Sequence, residues 1–174
     1  MLTIKIISLF LILGLSSLIG YLIGHKYNLR VKELEDIISA LELLETRVKY
    51  TYDTIADSFY FVANNMKTKA YRIFIITSAT LNDNKNLSAG DIFRNTVDEE
   101  GTFLDLENDD KEILKGLGTS LGQMDLESQL KNISLVKELL LKQHGDAIEC
   151  KNKNYKLSRN MGVFIGLVIM IILI

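Results

Sequence analysis

Proline and tryptophan are absent from this chain, and cysteine occurs once in its 174 residues. Because proline interrupts helices, its absence, together with the abundance of leucine, isoleucine, lysine and glutamate, favours helices throughout. The single Cys150 excludes an intramolecular disulfide and fits a reducing compartment. These absences argue against a disulfide-stapled secreted domain and predict an all-α fold.

Catalytic signatures are also missing. There is no Walker motif, and the glycines at 116, 118 and 122 miss the dinucleotide-binding fingerprint by one residue. His25 and His144 have no Cys, His or acidic cluster at ligand spacing, so both are interpreted as solvated surface residues. Asp109 and Asp110 are interpreted as charges at the start of a helix. We therefore expect no active site, no metal and no cofactor.

Charge is lacking at both ends of the chain. Residues 6–24 form a nineteen-residue run without a charged side chain, and residues 161–174 form a second run of fourteen. All 22 acidic residues and 19 of the 20 lysines and arginines lie between them, which gives the middle a net charge of −3. A middle part this close to neutral does not suggest nucleic-acid binding, which usually shows a basic face.

The apolar runs predict membrane anchors. About 20 apolar residues span a bilayer as a helix, so the first run is long enough and the second is short, needing local thinning of the bilayer. The alternatives are a cleaved signal peptide for the first run and a buried core helix for the second. We expect a transmembrane helix over 1–25, a cytoplasmic helical domain over 26–160 and a transmembrane segment over 161–174, in a membrane-anchored helical bundle.

The basic residues beside the two runs predict the orientation. They cluster where each run meets the middle of the chain, whereas towards the termini the only basic side chain is Lys5. By the positive-inside rule the middle is cytoplasmic and both termini lie across the membrane, with the basic clusters facing anionic lipid. The residues are Lys26, Arg30 and Lys32 after the first run, and Lys151, Lys153, Lys156 and Arg159 before the second.

Apolar periodicity predicts helices over about 30–52, 54–66, 71–81, 88–97, 109–117 and from 126 onward, with a loop over 81–86. The first is expected to continue out of the first apolar run, and the last to run far towards the membrane. Over 71–81 the β-branched content makes a strand the alternative. Ser88 with Asp91, Asn108 and Asp125 are the expected helix caps. The predicted core faces comprise Leu34, Ile37, Ile38, Leu41, Leu44, Val48 and Tyr52; Ile55, Phe59, Val62 and Met66; Ile73, Phe74, Thr77 and Leu81; Ile92, Phe93 and Val97; and Leu126, Leu130, Ile133, Val136 and Leu140.

Small residues recur at four-residue spacing in both apolar runs. Ser16 is followed by Gly20 and Gly24, and the second run contains Gly162 and Gly166. In lipid this spacing lets helix backbones approach closely. These glycines are candidates for transmembrane packing, and a homo-oligomer is possible.

One motif combines two leucine–glycine pairs with a helix start: Leu117, Gly118, Leu121, Gly122, Asp125 and Gln129. The first glycines are expected to end a helix in the left-handed conformation, and Asp125 to cap the next helix. The pattern resembles the stage III sporulation protein AB family of endospore-forming bacteria. Other matching residues are Arg30 and Leu34, the Leu41–Glu45 segment leading to Tyr50, and Lys156, Arg159 and residues 162–166. The chain departs from the family pattern at 53–55, where T-P-L is usual, and at Phe93, where a tryptophan is common.

The resemblance implies a role in the apparatus that joins mother cell and forespore. Such proteins resemble platform proteins of type II secretion and type IV pilus machines, which couple a cytoplasmic ATPase to moving or assembling parts. It implies a membrane platform subunit in the mother-cell-derived membrane around the forespore, with the stage III sporulation ATPase and other subunits as partners. The alternatives are a membrane-bound adaptor or sensor that binds a signalling partner through the acidic loop at 99–110, and a membrane enzyme using Asp109, Asp110 or His144.

Overall fold

The computed structural model describes residues 2–51, 53–83, 88–122 and 125–173, except the side chains of residues 2–10, 12, 13, 156, 159, 162, 163, 166, 170, 172 and 173. Within these residues every regular element is helical, so the all-α class is confirmed and the strand alternative for 71–81 is wrong. The α-helices are α1 (Leu2–Tyr50), α2 (Ile55–Ala63), α3 (Tyr71–Asp83), α4 (Ala89–Glu100), α5 (Asn108–Lys115) and α6 (Leu126–Leu173). Two 3₁₀ turns, Gly101–Phe103 and Gly116–Thr119, flank α5.

Helix starts follow local capping chemistry, with two corrections. Thr54 caps α2 by accepting a bond from the Asp57 N–H. The cap of α5 is Glu107 rather than Asn108: its side chain and that of Asp110 form a reciprocal capping box. Ser88 is at the start of α4 as predicted, but its side chain makes no capping bond, and the Asp91 carboxylate accepts a hydrogen bond from Arg94 instead. The predicted loop at 81–86 starts later, since α3 continues through Asp83; residues 84–87 lie outside the described part.

The chain divides into two compact units, one formed by Arg30–Gly145 and the other by Met1–Leu29 with Asp146–Ile174. Helices α1 and α6 each contribute to both. The predicted segment boundaries at 25/26 and 160/161 are not tested by this division and stay predictions.

Three phenylalanines from three helices centre the core of the Arg30–Gly145 unit. Phe59 of α2 and Phe93 of α4 stack with ring centroids 5.6 Å apart, and Phe74 of α3 meets both rings edge-on. All three are fully buried. Burying aromatic surface in such arrangements is among the largest contributions a small core receives. These residues are the ones that helical periodicity selected.

The long helices supply the remaining core. Leu34, Ile37 and Leu41 of α1, with Ile133 and Val136 of α6, are buried as predicted. Leu126 is an error of prediction: it is 53% exposed, because it lies in the first turn of α6, before the helix reaches the core. Other predicted core residues are only half-buried, and Tyr52 lies outside the described residues; the half-buried ones are Val48, Ile55, Met66, Leu81 and Leu130.

The unit formed by Met1–Leu29 and Asp146–Ile174 exposes large apolar side chains along both of its helical segments. They are Leu11, Leu15, Leu18, Ile19, Tyr21, Leu22 and Ile23, and Ile148, Leu157, Met161, Phe164, Ile165, Leu167, Val168 and Ile171. Among the residues that the structure describes, no helical stretch meets the length and apolarity needed to cross a membrane. The two predicted spans therefore stay predictions.

Candidate functional site

The leucine–glycine motif forms the tight turn between α5 and α6. Leu117, Gly118 and Leu121 are buried, with Leu117 and Gly118 in the 3₁₀ turn that continues α5. Gln129 lies in the second turn of α6 and is only 8% exposed. Residues 123 and 124, inside the motif, lie outside the described residues. The leucines, Gly118 and Gln129 of the motif are thus buried in the domain, whereas Gly122 and Asp125 are exposed.

Glycine is required at position 118 because the backbone of α4 approaches it closely, and not because of its own dihedral angles. It lies against Gly90 of α4: a Cβ added to Gly118 would be 2.7 Å from the Gly90 carbonyl oxygen, and one added to Gly90 would overlap the Gly118 oxygen. The expectation that the first glycines adopt a left-handed conformation is wrong. Among the described residues, positive φ occurs at Gly122, with φ 73°.

Asp125 starts α6 as predicted. Its Oδ1 accepts a hydrogen bond from the Ser128 N–H at 2.9 Å, and its Oδ2 accepts one from the Ser128 hydroxyl at 3.0 Å. These bonds stabilise the ionised carboxylate, so the pKa of Asp125 lies below its ordinary value. The residue therefore acts as a helix cap at the exposed end of the motif.

A second polar contact of this turn was missed by sequence reasoning. The Asn132 amide of α6 donates to the Ser120 hydroxyl at 2.8 Å and to the carbonyl oxygens of Gly116 (3.1 Å) and Leu117 (3.3 Å). It adds hydrogen bonds from α6 to the two carbonyls at the end of the 3₁₀ turn, which also accept from Thr119 and Ser120. The only hint in the sequence was a polar residue next to Ile133 on the apolar face of α6.

A buried ion pair joins three helices. Arg30 of α1 donates through Nε to Asp110 Oδ2 at 2.9 Å and through Nη2 to Asp110 Oδ1 at 3.0 Å. Its guanidinium also binds Glu107, at the start of α5, and Gln143 Oε1 of α6 at 3.2 Å. Asp110 is fully buried, and Arg30 is 6% exposed.

This geometry changes the interpretation of both residues. Arg30 does not belong to the basic cluster expected to face lipid, because its guanidinium is used inside the domain. Asp110 starts α5 as expected, but its bidentate bond to Arg30 makes it a long-range tie as well. Glu107 and Asp109, by contrast, have exposed side chains.

Two carboxylates continue along the same helix at three-residue spacing and hold loops through backbone N–H groups. Glu33 Oε2 accepts from Asp105 N at 2.8 Å. The Asp36 carboxylate accepts from the N–H groups of Lys67 and Thr68 and from the Thr68 hydroxyl, all within 3.1 Å. Burial raises the pKa of Glu33 to about 7, against the lowering effect of the Asp105 bond. Two loops and α5 are thus attached to α1 by three charged side chains, those of Arg30, Glu33 and Asp36.

The remaining candidate residues do not converge. His25 stacks on Tyr21 with ring centroids 5.9 Å apart, and His144 is half-buried on α6. Cys150 is exposed. Within the described residues no three His, Cys, Asp or Glu side chains are placed to hold a metal ion. The expectation of a chain without an active site stays a prediction.

The small residues of the apolar runs are placed as follows. Gly20 and Gly24 are buried in α1, and a Cβ on Gly24 would lie 3.2 Å from the carbonyl oxygen of Tyr155 in α6. Two helical backbones therefore approach closely at Gly24. Gly162 and Gly166 belong to α6, but their surroundings lie outside what the structure describes. Whether any of the four packs transmembrane helices stays a prediction.

Three comparisons with known proteins agree with one another. The family model for stage III sporulation protein AB matches residues 5–174. The stage III sporulation protein AB of Bacillus subtilis (strain 168) is 25% identical over 154 residues, which cover 88% of this chain and 90% of that protein.

A solved structure named stage III sporulation protein AB has the same fold. It matches with a TM-score of 0.67 and 23% identity, covering 72% of this chain and 98% of the solved one. Both the family and the Bacillus subtilis relative are described as sporulation proteins. With a family model matching nearly its whole length, this chain belongs to the stage III sporulation protein AB family.

Proposed function

We propose that this chain is a non-enzymatic membrane platform subunit of the sporulation apparatus between mother cell and forespore. Its residues 26–160 lie on the cytoplasmic side and dock the stage III sporulation ATPase, and both termini are anchored in the mother-cell-derived membrane around the forespore. Membership of the sporulation family supports the setting. The platform and docking roles rest on the resemblance to secretion and pilus platforms.

The observation that most supports a membrane is the apolar surface of the Met1–Leu29 and Asp146–Ile174 unit. Large aliphatic and aromatic side chains such as Leu18, Leu22 and Phe164 are half or more exposed. Soluble proteins rarely leave contiguous apolar surface of this extent uncovered. Lipid, or apolar helices of other subunits in lipid, is the environment that suits such a surface.

The docking role is supported by how the domain is held together. Its buried Arg30 and Glu33 and its half-buried Asn132 all make internal contacts: Arg30 binds Asp110, Glu33 accepts the Asp105 N–H, and Asn132 donates to the end of a 3₁₀ turn. Such ties order the loops between short helices, which gives a rigid surface of the kind that binding partners need. This favours a scaffold over a site that performs chemistry.

Topology is tested by labelling single cysteines with a membrane-impermeable thiol reagent. In a Cys150→Ser chain expressed in growing cells, before any forespore forms, Thr3→Cys should be labelled from outside the cell, whereas Asn95→Cys, which is exposed on α4, should be labelled only after lysis. Efficient labelling of Asn95→Cys from outside would reject the proposed orientation.

Docking is tested by crosslinking and complementation in sporulating cells that lack their own family member. Photo-crosslinkers at exposed positions of residues 26–160 should capture the sporulation ATPase; capture of a signalling protein without the ATPase would favour the adaptor alternative. Deletion of residues 162–174 should abolish spore formation, while His144→Ala at equal protein level should support it. Normal spores from the deletion would overturn the two-anchor platform.

A further inference from the structure

Glu33 of α1 holds a short segment of the domain through a buried hydrogen bond. Its side chain is buried, with the residue 4% exposed, and it accepts one backbone bond from Asp105 at 2.8 Å. Asp105 belongs to the segment Leu104–Glu107, which joins the 3₁₀ turn Gly101–Phe103 to α5. Leu104 and Leu106 are buried on either side of it. The carboxyl group is therefore a polar anchor between two apolar ones.

The charged groups around Glu33 come from three elements. One turn earlier on α1, the Arg30 guanidinium is bound to Asp110 and Glu107. From the anchored segment, the Asp105 carboxylate repels negative charge on Glu33, and from the turn before α3, Lys69 attracts it. Burial outweighs the Asp105 N–H bond and Lys69, so the pKa of Glu33 is raised to about 7.

We propose that Glu33 is a proton-controlled anchor, which holds the Leu104–Glu107 segment on α1 when protonated and loosens it when ionised. A protonated carboxyl still accepts the Asp105 N–H through its carbonyl oxygen and leaves no buried charge. An ionised carboxylate is stabilised by water when the segment lifts. The lifted state therefore binds the proton less tightly, and rising pH favours it.

The segment and its surroundings contribute to an exposed surface. Phe103, directly before it, is 67% exposed, and the Glu107 side chain at its end is exposed as well. Loosening the anchor changes how Phe103 is presented to a partner, whereas Glu107 stays bound to Arg30. The Arg30–Asp110 pair holds the start of α5 independently of Glu33, so the change is confined to the segment before it.

Hydrogen exchange tests the anchor on the full chain in detergent micelles. Exchange of a peptic fragment containing Asp105 is compared between the wild type and Glu33→Gln from pH 5 to pH 8. Because both chains have the same sequence around Asp105, the intrinsic pH dependence of exchange cancels in the ratio of their rates. The ratio should rise by roughly tenfold to a hundredfold across this range, about tenfold for each unit by which the pKa is raised.

Asp36→Asn is the matched control, since Asp36 holds a different turn through Lys67 and Thr68. It should speed exchange at that turn and leave the pH dependence at Asp105 unchanged. A wild-type to Glu33→Gln ratio that stays flat from pH 5 to pH 8 would overturn the proposal. If Glu33→Gln does not fold, the Asp105 amide is followed by NMR in the wild type, where an amide resonance that shows no titration near pH 7 would overturn it equally.

Discussion

Removing the Asp110 carboxylate should destabilise the domain far more than removing its exposed neighbour. Asp110→Ala takes away two of the acceptor oxygens of the Arg30 guanidinium and the group that accepts the Glu107 N–H at 2.9 Å. Arg30, itself buried, then keeps only Glu107 and Gln143 among the partners described above. Breaking a buried ion pair from one side costs about 3–5 kcal/mol when the remaining charge has no other partner; because Arg30 keeps Glu107, we expect a loss at the lower end of this range.

Against a domain stability of about 5–15 kcal/mol, a loss of this size is large. Asp109→Ala is the matched control, because Asp109 is also an aspartate but its side chain is exposed. Its carboxylate stabilises the domain only through its position near the N-terminus of α5, which contributes about 0.3–1 kcal/mol. The free energies of unfolding are measured by urea titration of the full chain in detergent, followed by far-UV circular dichroism.

A double variant distinguishes the effect of an unpaired Arg30 charge from the effect of changing the residue at position 110. Arg30→Met with Asp110→Leu removes both charges and leaves apolar side chains of similar volume, which is often close to neutral. We expect the double variant to be more stable than Asp110→Leu alone. The reasoning is refuted if Asp110→Ala lowers the free energy of unfolding by no more than Asp109→Ala does. It is refuted equally if the double variant loses as much free energy of unfolding as Arg30→Met and Asp110→Leu lose together.

Three further predictions follow from other contacts. Gly118→Ala should destabilise the domain by several kcal/mol or prevent folding, because its Cβ would collide with the Gly90 carbonyl, whereas Gly116→Ala, whose Cβ has room, should cost under about 1 kcal/mol in the same titration. Stability should fall by about 1–3 kcal/mol as pH rises from about 4.5 to about 7, since native Glu33 binds its proton more tightly than the unfolded chain, and Glu33→Gln should lose this dependence; an unchanged slope would contradict the assignment. A fragment of residues 26–160 should fold alone, giving a helical circular dichroism spectrum with a cooperative melt; a spectrum of disorder would count against it.

The sequence by itself determined the helical class and most of the core. Apolar residues at helical spacing selected Phe59, Phe74 and Phe93, because a helix can bury only the side chains that recur on one face. Asp125 was identified as a cap because capping is a local bond between residues three apart. The Leu–Gly motif marked the turn before α6, and the family resemblance drawn from it is confirmed.

Only the tertiary structure decided the long-range contacts. The Arg30–Asp110 pair joins residues 80 apart in the chain, and no local pattern distinguishes a buried Asp110 from an exposed Asp109. The need for glycine at 118 comes from the backbone of Gly90, an element away, and not from a backbone angle that the motif encodes. The pKa of Glu33 is raised by its burial in the folded domain, which no local pattern shows. Periodicity reports which face of a helix is buried, whereas the partner that meets each buried polar group depends on how distant helices pack.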